Sequence, residues 1–206
     1  MRFKSEQQLK EWMAQAGTAL PSKKLRQELP AQTIDISVQR RIIGVDTALR
    51  CTGWGIIDIR GQKMRAVDCG VIRNPATDKM SDCLRRLAEG IRQLAQLYKP
   101  QIAVLEGAFF CRNVRTAMVL GSARGAVIST LAEQGIEIYE YAPRKVKQTV
   151  CGFGNASKEQ VARMVSSFLN IKTADFPLDA TDALAMAICH AQQLSIAKGY
   201  GLPPQV

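Results

Sequence analysis

The chain has 206 residues, with 28 lysines and arginines against 18 aspartates and glutamates, a net charge of +10. That length suits one well-buried core with extensions rather than two sizeable domains, and no run approaches the roughly 20 apolar residues of a membrane span. The positive surplus predicts attraction to a polyanion, nucleic acid first.

Residues 1–39 read as a basic N-terminal extension. Residues 1–41 carry eight basic and four acidic side chains. Leu9, Trp12, Met13 and Ala16 recur at helical spacing, Ser5 and Gln8 form a capping-box pattern, and Gly17 is a stop, which predicts one short amphipathic helix. Glu6 and Glu11 argue against a mitochondrial presequence, which is poor in acids. Docking on the core and touching DNA are both open for this arm. Residues 40–197 read as the folded domain and 198–206 as a short C-terminal tail.

The domain opens with three β-type runs, Arg41–Asp46, Gly53–Ile59 and Met64–Ile72, divided by turn-like segments. The period then changes. Leu84, Leu87, Ile91, Leu94 and Tyr98 mark a helix ending before Pro100, and Ile102–Leu105 is a fourth strand. A long helix over Val114–Gln134 and a fifth strand over Ile136–Tyr141 follow. Ser157 and Gln160 cap a helix whose expected buried face is Val161, Met164, Val165, Phe168 and Leu169. Asp179 to Leu194 is the last helix. Three antiparallel strands feeding helical crossovers to two more predict an α/β fold, a mixed five-stranded sheet flanked by helices with the ends of strands one and four adjacent.

Four carboxylates stand where apolar elements end. Asp46 closes Ile42-Ile43-Gly44-Val45, Glu106 closes Ile102-Ala103-Val104-Leu105, and Asp179 and Asp182 share one face of the last helix. Like charges brought together need protons or divalent cations, and carboxylate oxygens suit Mg²⁺ and Mn²⁺. In-line hydrolysis of a phosphodiester needs a nucleophilic water, neutralised charge on phosphorus and help for the leaving oxygen, all of which two cations supply. The expected roles are Asp46 bridging both ions, Glu106 orienting the attacking water, and Asp179 and Asp182 holding the ions from the helix. Arg144, Lys145, Lys147, Lys158 and Arg163 against Glu159 make a basic stripe for phosphates, with Arg163 read as a solvated charge. If about six phosphates are neutralised, log affinity falls against log salt with a slope near about −5. The six cysteines, Cys51, Cys69, Cys83, Cys111, Cys151 and Cys189, show no paired spacing, and His190 is the single histidine, so reduced packed thiols and no structural zinc are expected. His190 itself reads as a packed helix histidine.

The runs Ile43-Gly44-Val45-Asp46, Thr52-Gly53-Trp54-Gly55, Glu106-Gly107-Ala108-Phe109 and Gly121-Ser122-Ala123-Arg124-Gly125 stand in an order and spacing similar to the RuvC family of Holliday-junction resolvases. Arg144–Val150 with Gly152-Phe153-Gly154, and Asp179-Ala180-Thr181-Asp182-Ala183-Leu184-Ala185, resemble it too. The resemblance spans about residues 41–195. It implies an RNase H-like fold, a homodimer, Mg²⁺-dependent symmetric nicking of four-way DNA junctions, a cytoplasmic setting and a branch-migration complex as a further partner. An organellar or viral host stays open. It also implies that Asp46, Glu106, Asp179 and Asp182 are catalytic and metal-binding, that Lys147 and Lys158 contact DNA, and that Phe109 stacks on a junction base; a core position is the alternative for Phe109. The family usually carries Pro and Gly or Ser after its first catalytic Asp and Gln after its strand-four Glu, whereas this chain has Thr47, Ala48 and Gly107. Gly121 and Gly125, four apart on the 114–134 helix, would let a second copy approach closely. Two other readings share parts of the pattern: an RNase H-like nuclease acting on an RNA precursor, and an actin-like ATP-dependent phosphotransferase, for which 206 residues leave no second nucleotide loop.

Overall fold

The structure is a computed structural model and describes residues 40–107, 113–196 and 205–206. The expected helix around Leu9–Ala16, Cys111, Phe109 and Phe110, and most of the C-terminal tail lie outside these residues. Among the described ones the strands are β1 (Arg40–Asp46), β2 (Cys51–Arg60), β3 (Lys63–Arg73), β4 (Ile102–Glu106) and β5 (Glu137–Tyr141). The helices are α1 (Met80–Tyr98), α2 (Val114–Glu133), α3 (Pro143–Cys151), α4 (Lys158–Leu169) and α5 (Leu178–Ile196).

The sheet order is β3-β2-β1-β4-β5. β1 pairs antiparallel with β2 and parallel with β4, and β4 pairs parallel with β5. This is the expected mixed sheet, and the pairing of Val45 with Leu105 sets the tips of β1 and β4 side by side. The apolar runs of β1 and β4 are continuous because both faces are covered. Ile42, Ile57, Ile102 and Val104 face a core with α3, α4 and α5, while Ile43, Val45, Ile56, Ala103 and Leu105 face a second core with α1 and α2. Successive residues therefore serve opposite layers.

β2 begins at Cys51, earlier than the sequence pattern indicates, since Cys51 and Thr52 already pair with Arg73 and Ile72 of β3. The capping box of Ser157 and Gln160 is present. Phe168, expected in the buried face of α4, is exposed. The buried stripe Val161, Val165, Leu169 advances in steps of four, so by the last turn it centres on Leu169, and Phe168 lies about 100° away around the helix. At the end of the chain, Gln205 bridges to Tyr139 and the Val206 amide donates to the Ile138 carbonyl, so the terminus lines the outer edge of β5.

Candidate active site

The first layer of the site is two strands that lack side chains where a helix must lie. A Cβ on Gly44 would fall 1.9 Å from the Ala183 carbonyl oxygen, and one on Gly53 would fall 2.0 Å from that of Asp179. Only glycine allows this approach, so α5 rests main chain against main chain on β1 and β2. Ala180, Ala183 and Ala187, fully buried, complete the close seat. The first two turns of α5, carrying Asp179 and Asp182, are thereby fixed above the tip of β1, where Asp46 leaves the sheet.

Carboxylate oxygens of Asp46, Asp179 and Asp182 lie within 4.8 Å of one another. Glu106, at the tip of β4, stands outside that trio but lines the same cleft, about 300 Å³ in volume, with Asp46, Asp182, Lys147 and Lys158. Pro143, Val146, Val161, Ala185 and Met186 form its apolar walls. Lys158 Nζ is 2.8 Å from Asp182 Oδ2. That bond, followed by the field of Asp46 and Asp179, raises the lysine above its ordinary value despite partial desolvation. Burial first, then Asp182, Glu106 and Asp179, pushes Asp46 up to about 7, with Lys158 opposing. Glu106 is raised by burial and by Asp182, against Lys158 and Lys147. Two lysines do not compensate the charge of four assembled carboxylates.

The turn after Asp46 closes with Thr47 and Ala48 in place of the Pro and Gly or Ser of the family pattern. The Thr52 hydroxyl donates to the Ala48 carbonyl at 2.5 Å and accepts from the Ala48 amide at 3.2 Å, closing the turn by side chain. At Gly107 a Cβ would meet Tyr141 at 3.4 Å, ordinary contact, so the glycine is not sterically required there.

The basic residues divide. Lys147 and Lys158 line the cleft, Arg144 and Lys145 are exposed on α3, and Arg163 is exposed on α4. α3 was hidden in the sequence behind its run of charges, although Pro143 at its first position and Gly152 at φ +87° just past its end are the signals of such a helix. Two contacts at the site had no sequence signal. The Cys51 thiol donates to Asp179 Oδ2 at 2.9 Å, its pKa held up to about 11 by burial and by that carboxylate. Arg124 of α2 donates from Nη1 to the Glu106 carbonyl at 2.7 Å. His190 is fully buried, as a packed helix histidine should be, with Nδ1 2.9 Å from the Tyr141 hydroxyl and its ring against Tyr139. Desolvation, with a smaller push from Arg40, lowers it to about 4.

A family model described as crossover junction endodeoxyribonuclease RuvC matches residues 42–190. The protein of that name from Protochlamydia amoebophila is 44% identical over 157 residues, covering 76% of this chain and 94% of the relative. The one from Chloroflexus aggregans is 40% identical over 162 residues, covering 79% and 99%. Among solved structures, Thermus thermophilus RuvC in complex with Holliday junction substrate superposes with a TM-score of 0.73 at 30% identity, over 77% of this chain and 97% of that one. These matches establish the RNase H-like fold and displace the phosphotransferase reading. With both strand tips and the helix that crosses them inside the matched span, the chain belongs to the RuvC family of crossover junction endodeoxyribonucleases.

Proposed function

We propose that the protein resolves four-way DNA junctions as a homodimer, hydrolysing one phosphodiester in each of two symmetry-related strands. Each site takes two divalent cations, Mg²⁺ ordinarily and Mn²⁺ as a substitute, in a bacterial-type cytoplasm. The observation that carries this reading is the packing of three carboxylates within 4.8 Å beside a cleft that Glu106 shares, in a chain of net charge +10. The donor set is all hard oxygen, and the upward push on Asp46 marks a surplus of negative charge that a cation relieves.

Asp46, Glu106, Asp179 and Asp182 would hold the ions, which when bound neutralise charge at phosphorus and activate water. The chain's own residues do the rest. Lys158 and Lys147, on the cleft wall, fix the phosphate, and Arg144 and Lys145 continue the track along α3. Glu106 orients the attacking water. Phe109, three residues beyond Glu106, stacks on a junction base. Residues 40–197 form the nuclease domain, residues 1–39 and 198–206 being extensions to it, and a branch-migration complex is a further partner.

Dimerisation fits α2. Its buried residues Ala123, Val127 and Leu131 pack into the core shared with the sheet and α1, while Val114 and Met118 are 73% and 68% exposed and Gly121 and Gly125 have open space where a Cβ would be. A second helix can seat there, and a twofold enzyme has two equivalent sites for two equivalent strands.

The test is incubation of the protein with a mobile four-way junction, a linear duplex and an RNA hairpin, in Mg²⁺ or EDTA, beside an Asp46→Asn control. Paired symmetric nicks in the junction alone are expected. Equal cutting of all three substrates, or no cutting in Mg²⁺, overturns the reading.

A further inference from the structure

Three of the four acids are held rigidly. Asp46 ends the central strand, and Asp179 and Asp182 ride on a helix whose main chain lies against that sheet. Glu106 differs: it is the last residue of β4, and its carboxylate stands outside the 4.8 Å trio. Its distance from the others depends on the direction in which the tip of β4 points.

Arg124 grips that tip. Its side chain, 18% exposed, rises from the middle of α2, and Nη1 donates to the Glu106 main-chain carbonyl at 2.7 Å. Nη2 pairs with the Glu140 carboxylate, 23% exposed, on the neighbouring strand β5. One residue further on, the Gly107 amide donates to the Tyr141 carbonyl at 2.9 Å. The guanidinium therefore binds β4 and β5 at the point where β4 leaves the sheet. Its planar fork suits two divergent acceptors, which a lysine's single ammonium at the end of a flexible stem does not reproduce. Fixing the carbonyl of Glu106 fixes the orientation of its peptide, and with it the Cα–Cβ direction of the acid.

We propose that Arg124 is a positioning residue for the cleft: by clamping the tips of β4 and β5 it sets where the Glu106 carboxylate stands relative to Asp46 and Asp182. The inference rests on the cation-binding reading above. Groups that orient metal ligands without touching the metal commonly change affinity by about 10- to 100-fold when removed.

The test measures Mn²⁺ binding by electron paramagnetic resonance on the full-length protein without DNA, together with melting. Arg124→Met should weaken Mn²⁺ binding about tenfold or more and lower Tm, and Arg124→Lys should recover only part of the affinity. The double variant Arg124→Met/Glu140→Met removes the carboxylate left without its partner, and should regain most of the Tm while its Mn²⁺ affinity stays low. Adding Glu106→Gln to Arg124→Met should cost less than Glu106→Gln costs alone, since both act on one ligand. Recovery of both Tm and Mn²⁺ affinity in the double variant would reduce Arg124 to a counter-charge for Glu140 and overturn the proposal. So would full additivity with Glu106→Gln, or wild-type affinity in Arg124→Met. If Arg124→Met does not fold, Arg124→Lys still decides: unchanged Mn²⁺ affinity overturns the proposal, and a partial loss supports it. A wild-type protein that binds no Mn²⁺ sinks the functional reading itself, which separates the two failures.

Discussion

The two ends of β1 handle charge in opposite ways. At its beginning, Arg41 donates from Nε and Nη2 to both oxygens of Asp58, at 2.6 and 2.9 Å, and from Nη1 to the Tyr98 carbonyl at 2.8 Å. The half-buried cation there has a matched anion and a third acceptor. Five residues later, at the other end of the strand, Asp46 meets Asp179, Asp182 and Glu106, with Lys158 as the nearby cation. Charge matched within the chain holds structure together, whereas charge left over looks outward for a ligand.

The comparison breaks most visibly at Asp46. Asp46→Asn removes a full negative ligand with little change in volume. Nicking should fall by more than about a hundredfold, while junction binding holds or tightens and Tm in EDTA rises as repulsion is relieved. Single-turnover nicking, mobility shift and melting check the three parts. A lower Tm would mean that the tip charges are not in conflict.

Next in size is the seat of the helix. Gly53→Ala puts a methyl 2.0 Å from the Asp179 carbonyl oxygen, so α5 must lift. The expected loss is about 3 kcal/mol with weakened Mn²⁺ binding, read by urea denaturation and a metal titration. Normal stability would show that the helix can shift without consequence.

At the other end, Arg41→Met leaves Asp58 without its partner. The pair is partly exposed, at 27% and 17%, so the cost should be about 2 kcal/mol, below that of a fully buried pair. Nicking well below the melting temperature should be unchanged; a loss of activity there would erase the distinction between the two ends.

The effect least visible at neutral pH is the acid sensitivity of His190. His190 has a folded value of about 4 against an ordinary 6.5, so the unfolded chain takes up the proton first. Its contribution to stability is complete above about pH 6.5 and is lost as pH falls towards 4, by about 3 kcal/mol at most. His190→Gln should flatten the acid side of a stability profile measured by denaturant between pH 7 and 4, relative to wild type.

The strands and acids were legible because a charge at the end of a buried apolar run is improbable without a purpose, as at Val45-Asp46 and Leu105-Glu106. The mixed sheet followed from the change of period after Ile72. α3 was less legible, being short and heavily charged, with Val146 and Val150 as its buried residues. The links from Cys51 to Asp179 and from Arg124 to Glu106 join residues 128 and 18 apart. No periodicity encodes them, because they arise from how layers stack. The glycines at 44 and 53 were read as parts of a motif, and only the stacked main chains show what they are for.

Because α5 sits on the sheet with no cushion of side chains at Gly44 and Gly53, repacking elsewhere in the interior has no slack through which to change the spacing of Asp46, Asp179 and Asp182. Retuning that trio towards a larger or smaller ion would therefore have to come from lengthening or shortening the acids themselves. The seat acts as a fixed gauge, and Glu106, carried on its own strand tip, is the adjustable jaw.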